Sequence, residues 1–226
     1  MAEPTYSVEK QCPACQKKFS VTKLRGRQAM VKQDSDFCAY FQEIKPYYYT
    51  IWVCSSCGYA AADSYFDELS AAAYDKITEF LAARTVNVNF SGERTREQAI
   101  ASYKLAIFFA DLIAAPASRL AELYLKLGWV YREGENAEEE KSALTKAGQY
   151  YEQALMRERL PIGTLSEAAV TYLIGELARR TGQTETALLY LSKVVGSPSA
   201  KLEPRITNLA RDAWHEARAA RDQAGS

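Results

Sequence analysis

Four of the five cysteines fall in two Cys-x-x-Cys pairs, Cys12-Pro13-Ala14-Cys15 and Cys54-Ser55-Ser56-Cys57, with 38 residues between them. Two tight turns that each present two sulfurs make the donor set of a closed tetrahedral zinc site. The spacing predicts one structural Zn²⁺ per chain, held by Cys12, Cys15, Cys54 and Cys57. Four ligands leave no open position, so the metal would not itself catalyse a reaction. Two other chemistries use the same letters. Disulfides need an oxidising compartment, and no basic-then-apolar leader precedes these cysteines in the sequence. A redox Cys-x-x-Cys opens a helix after a buried strand, whereas both pairs here sit among strand-like segments.

The remaining reactive groups are sparse. Cys38 is the odd cysteine, in Asp34-Ser35-Asp36-Phe37-Cys38. It reads as a reactive thiol, an alternative ligand or a buried small hydrophobe, and burial is the commonest fate of a thiol outside disulfides. Asp34 and Asp36 would share a face on a strand, but two carboxylates alone make a poor cation site. A turn, in which they accept backbone N–H bonds, is the expected use. The single histidine, His215, lies near the C-terminus beside Trp214, a poor place for a nucleophile–base pair. No phosphate-binding or dinucleotide glycine fingerprint is present. Lys17, Lys18, Lys23, Arg25, Arg27 and Lys32 concentrate positive charge near the cysteines. They suit nucleic acid or, more simply, offset the formal −2 of a four-thiolate zinc site.

Placing the cysteines requires turns and short strands. Gly58 follows the second pair where a residue with positive φ is needed. Phe19 and Val21 alternate after the first pair. Tyr47, Tyr49, Ile51 and Val53 share one face before the second, with Tyr48 and Trp52 opposite. The reading is a zinc ribbon, with a loose arm over residues 1–10 and an extra hairpin or loop between Lys23 and Pro46.

From Ser64 onward the periodicity is helical. Helices are expected over 64–83, 96–114, 117–132, 141–158, 166–181, 184–195 and 203–220, with Ser64 as the first N-cap and a loop, briefly extended at Val86–Phe90, between the first two. A pattern repeats within them. Ala99-x3-Tyr103-x2-Ala106 recurs as Ala147-x3-Tyr151-x2-Ala154 and as Ala187-x3-Leu191-x2-Val194. Leu127-Gly128 and Ile174-Gly175 precede the second and third. Small residues that let antiparallel helices approach, with a large one filling the gap, are similar to the tetratricopeptide pattern. Two full units, a degenerate first one and a C-terminal capping helix are expected to stack.

The run Cys12-Pro13-x-Cys15, Asp34-x-Asp36, Cys38-x-Tyr40, Pro46-x-Tyr48 and Trp52-x-Cys54-x-x-Cys57-Gly58-Tyr59-Ala60 resembles a bacterial family of uncharacterised proteins, domain of unknown function 2225. The resemblance is specific over residues 12–60 and weaker beyond. It implies a bacterial intracellular protein with a zinc-ribbon-like start, and brings no established activity.

Composition agrees with a protein outside the membrane. The 226 residues are 48 % hydrophobic and 25 % charged, with zero formal net charge, and no apolar run approaches the ~18 residues of a span. Residues 1–62 hold eight Lys/Arg against five Asp/Glu, a balance of +3, leaving −3 for the rest. The expected architecture is mainly α with a small β-rich zinc module: a zinc-ribbon-like part over 1–62 and a tetratricopeptide-like helical domain over 63–226. The expected role is a cytoplasmic, non-enzymatic scaffold whose helical groove takes a protein or peptide partner. A nucleic-acid-binding ribbon, losing affinity steeply with salt, and a thiol redox sensor using Cys38 and a labile zinc site are the alternatives.

Overall fold

The computed structural model describes residues 4–82, 84, 86, 88–198 and 202–224. The chain is mainly helical, with small antiparallel strand pairs near its N-terminus. It forms two compact units: Met1–Gln33 with Ala39–Ala115, and Asp34–Cys38 with Pro116–Ser226.

The first unit holds three two-stranded ribbons. Strand β1 (Thr5–Gln11) pairs antiparallel with β2 (Lys18–Leu24), Val8 opposite Val21. The arm expected to be loose over residues 1–10 is therefore a strand from Thr5. Its side chains are mostly exposed, which hides it from a hydrophobic pattern, while the ladder satisfies its backbone. The expected insertion is a hairpin, β3 (Met30–Gln33) with β4 (Ala39–Phe41). Strand β5 (Ile51–Val53) pairs with β6 (Ala60–Ala62). The longer strand expected from Tyr47 does not form. Pro46 opens a 3₁₀ turn over Pro46–Tyr48, and all three residues of β5 are buried, so there is no alternation to read.

Helix α1 spans Ala71–Ala82 and begins later than the helix expected from Ser64. Ser70 supplies the cap, its hydroxyl accepting from Ala73 N–H at 3.2 Å. Residues before it form turns that send Phe66 into the core, fully buried and ringed by Phe19, Trp52 and Tyr59 at 5.1–5.6 Å. Helix α2 (Arg96–Leu112) opens with a capping box between Thr95 and Gln98. It packs on β5 and β6, with Phe109 against Tyr59. Hence α1 and α2 group with the ribbons in the first unit. Between these helices Val86 and Val88–Phe90 have no regular structure, and Asn87 lies outside the described residues.

The second unit contains α3 (Ala117–Arg132), α4 (Ala137–Arg157), α5 (Glu167–Arg180), α6 (Thr184–Gly196) and α7 (Pro204–Ala224). Neighbours in sequence pack on one another, and α5 also packs on α7. Helix α4 starts earlier than expected because the acidic run supplies its first turn: Glu138, Glu139 and Glu140 sit at the positive end of the helix dipole. The nine residues of the repeated Ala–large–small pattern are all 3 % exposed or less. The α3–α4 and α5–α6 hairpins each close on a glycine. A Cβ on Gly128 would lie 2.6 Å from Leu144, and one on Gly175 would lie 2.8 Å from Leu191. Gly182, with φ +80°, makes the α5–α6 turn.

Candidate metal centre

The two Cys-x-x-Cys turns are built alike. In the β1–β2 turn, Cys12 N–H donates to Lys17 O and Gln16 N–H to Cys12 O, both at 2.9 Å. In the β5–β6 turn, Cys54 N–H donates to Tyr59 O and Gly58 N–H to Cys54 O, both at 2.8 Å. The residue after each pair takes a positive φ, +81° at Gly58 as expected and +61° at Gln16. Gln16 tolerates this region with help from its own amide, which donates to Pro13 O at 2.9 Å.

The two turns bring four sulfurs together. Sγ of Cys12 and Cys57 are 3.7 Å apart, as are those of Cys15 and Cys54, and all four lie within 4.8 Å of one another. These separations are far beyond the ~2.05 Å of a disulfide. The sulfurs are half-buried to buried, and four thiols this close do not ionise side by side without a cation among them. Cys12 is accordingly pushed up to about 12, first by hydrogen bonding to Cys54. Cys57 is pushed up as well, by Cys12 and then Cys54. Cys54 is held down to about 2, chiefly by hydrogen bonds from Cys12 and Cys57. A metal ion among the sulfurs would resolve the conflict by replacing the shared protons. The cluster is thus a candidate four-sulfur metal centre, formed by the residues expected from the sequence.

Several of the nearby cations engage the ribbons' own groups. Lys18 pairs with Glu9 at 2.8 Å. Lys10 and Lys23 lie over Trp52, Arg25 over Tyr6 and Lys32 over Tyr40.

A second cluster escaped sequence reasoning. Within the helical unit, Asp34–Cys38 forms the turn expected of it, with Cys38 N–H donating to Asp36 Oδ1 at 3.3 Å. Asp36 and Cys38 are fully buried. The aspartates' main partner, however, is Arg132 at the end of α3. Its Nη1 reaches Asp34 Oδ2 and Asp36 Oδ1 at 3.1 Å, its Nη2 reaches Asp36 Oδ2 at 2.5 Å, and its Nε reaches Glu140 at 2.7 Å. Trp129 Nε1 donates to Asp36 Oδ2 at 3.2 Å. Burial works against the Arg132 charge, but Asp36 and Glu140 outweigh it and raise the guanidinium above its ordinary value. On α5, fully buried Glu176 receives Arg179, Arg180 and the Ser35 hydroxyl. His215 is exposed on α7.

No described helix is long and apolar enough to cross a membrane. No curated protein and no solved structure matches the chain. A family model does, over residues 5–217, which include both Cys-x-x-Cys turns, the Asp34–Cys38 turn and α1 through most of α7. The chain therefore belongs to the family described as an uncharacterized protein conserved in bacteria, DUF2225.

Proposed function

We propose that the protein is a non-catalytic adaptor: a zinc-held β module joined to a helical-repeat unit that binds a protein or peptide partner. The observation that carries the reading is the repeated hairpin. Gly128 faces Leu144 and Gly175 faces Leu191, each across sixteen residues, in successive helix pairs. Stacks of such tetratricopeptide-like pairs offer continuous side-chain-lined faces, and their common use is recognition of extended or helical segments.

Zinc is the metal that suits the four sulfurs. A regular tetrahedron with Zn–S bonds of ~2.3 Å has S–S edges of about 3.8 Å, close to the 3.7 Å of the two sulfur pairs. Protein purified without added metal is expected to carry about one zinc per chain. Folded, metal-free protein would refute the zinc assignment.

The adaptor role is tested by crosslinking and affinity capture from bacterial lysate, with and without nuclease. The reading expects a discrete partner that survives nuclease and crosslinks to the helices from Pro116 onward. Partners lost with nuclease, crosslinked only to β1 and β2, would replace it with nucleic-acid binding through the basic residues Lys17–Lys32.

A further inference from the structure

The turn Asp34–Cys38 is held by the helices as a bound peptide is held, through backbone as well as side chains. Tyr172 Oη donates to the carbonyl of Ser35 at 2.8 Å. The Ser35 hydroxyl donates to Glu176 at 2.6 Å and accepts from Arg180 Nη2 at 2.8 Å. The Phe37 ring lies 5.7 Å from that of Tyr172 and packs on the cluster that includes Ala168, Leu188 and Ala213. Phe37 adopts φ +67°, a conformation that a residue with a Cβ takes only when its surroundings impose it.

The two arginines facing the turn share one design. Arg132 gives Nε to Glu140 and its two terminal nitrogens to Asp34 and Asp36. Arg180 gives Nε to Glu176 and Nη2 to Ser35. Each guanidinium is thus oriented through Nε by a carboxylate of the helices themselves; Arg180 then gives the turn Nη2 alone, whereas Arg132 presents both terminal nitrogens to it. Such a pre-aligned fork matches a carboxylate in two-pronged geometry. The polar groups of the seat come from α3, α4 and α5, and its apolar floor from α5, α6 and α7.

We propose that this seat is a recognition site for an acidic peptide segment of the form Asp-x-Asp-aromatic, and that Asp34–Cys38 is its internal occupant, which a partner's segment replaces. The proposal rests on the adaptor reading and names the chemistry of its partner. The turn's own residues define the ligand: two carboxylates for Arg132, a backbone carbonyl for Tyr172 and a ring for the apolar cluster. Because a covalently attached occupant competes at high effective concentration, the intact chain binds an external segment weakly until the turn leaves.

Cys38 reports that departure, since it is fully buried while the turn is seated. The test uses the full-length, metal-loaded protein and a capped synthetic peptide, Gln-Asp-Ser-Asp-Phe. The rate of Cys38 alkylation is followed by mass spectrometry. The peptide is expected to accelerate alkylation saturably, by about tenfold, by shifting the turn to its open state. A Gln-Asn-Ser-Asn-Phe control should leave the rate unchanged. In a second arm, fluorescent peptide is titrated into D34N/D36N protein, whose own turn is weakened while the seat is intact. It should bind at least about tenfold tighter than to wild type. Absence of acceleration in wild type overturns the proposal and makes the turn a permanent structural fastening, whether or not the variant folds. If a partner crosslinks to the helices yet is not displaced by the peptide, the proposal falls and the adaptor reading stands. If no partner is captured, that reading falls by itself.

Discussion

Replacing Gly175 with alanine tests the closeness of the α5–α6 hairpin. The added Cβ would lie 2.8 Å and 2.9 Å from Leu191 Cγ and Cδ2, and 3.1 Å from the Leu191 backbone nitrogen. Carbon atoms are comfortable at ~3.5–4.0 Å, so Leu191 must retreat by about 0.7 Å or more. It has nowhere to go: Leu191 is fully buried among Tyr172, Val194 and Ala210, and its backbone blocks the same direction. Overfilling of this kind costs about 1–3 kcal/mol, partly offset by the ~1 kcal/mol preference of a helix for Ala over Gly. The expected result is a net loss of up to about 2 kcal/mol, against the gain expected at Gly148. Gly148 is the control within the same unit, since a Cβ there meets only Leu177 Cβ at 3.7 Å. Gly148→Ala should gain up to about 1 kcal/mol from propensity alone. The two variants would be compared by urea unfolding followed by far-ultraviolet circular dichroism. If Gly175→Ala is as stable as Gly148→Ala, the helices do not approach as described and the close-hairpin argument fails.

Three further outcomes are expected. Cys54→Ser should lower bound metal below one equivalent and loosen the ribbons together with α1 and α2, because metal affinity and folding are linked; limited proteolysis should then leave a resistant fragment beginning near Pro116. Arg132→Met should destabilise the helical unit by about 3 kcal/mol, since it takes the nearest cation from the fully buried Asp36 and leaves Arg180, at 3.8 Å, as its charge partner; thermal melts that match wild type would refute this. Although burial opposes it, hydrogen bonds from Arg179 and Ser35 and the adjacent guanidinium charges hold Glu176 below its ordinary 4.5. A depressed carboxylate stabilises the fold above its unfolded pKa, and this contribution is lost as the pH falls below 4.5 through the folded value. Glu176→Gln should therefore flatten that part of the acid melting profile, and an unchanged profile would exclude the assignment.

The four-cysteine cluster was legible because its signal is local: each pair supplies two sulfurs across one turn, and Gly58 marks the geometry. The buried faces of the helices were legible for the same reason, since alanine and tyrosine at fixed spacing specify which side packs inward. The seat of Asp34–Cys38 was not. Asp36 and Arg132 are 96 residues apart, and neither carries a pattern that names the other. The Asp-x-Asp pair signalled a turn, correctly, without indicating what would bind it. The start of α1 was misplaced because Phe66 satisfies helical spacing, yet the aromatic cluster of Phe19, Trp52 and Tyr59 claims it first. Strand β1 was missed because its exposed side chains leave backbone pairing as its main signal.

The separation of the Asp34–Cys38 turn from its seat has a consequence during synthesis. Ser35 precedes Arg180 by 145 residues. A ribosome adding about 5–20 residues per second needs roughly 7–30 s to make the interval. Throughout that time Phe37 and Cys38 have no finished site to enter, so the nascent chain displays a ring that the mature protein half-buries and a thiol that it buries fully. The newborn polypeptide thus carries this segment open to oxidation and misplaced association until translation has passed Ala213 of α7, which belongs to the apolar cluster that Phe37 packs on.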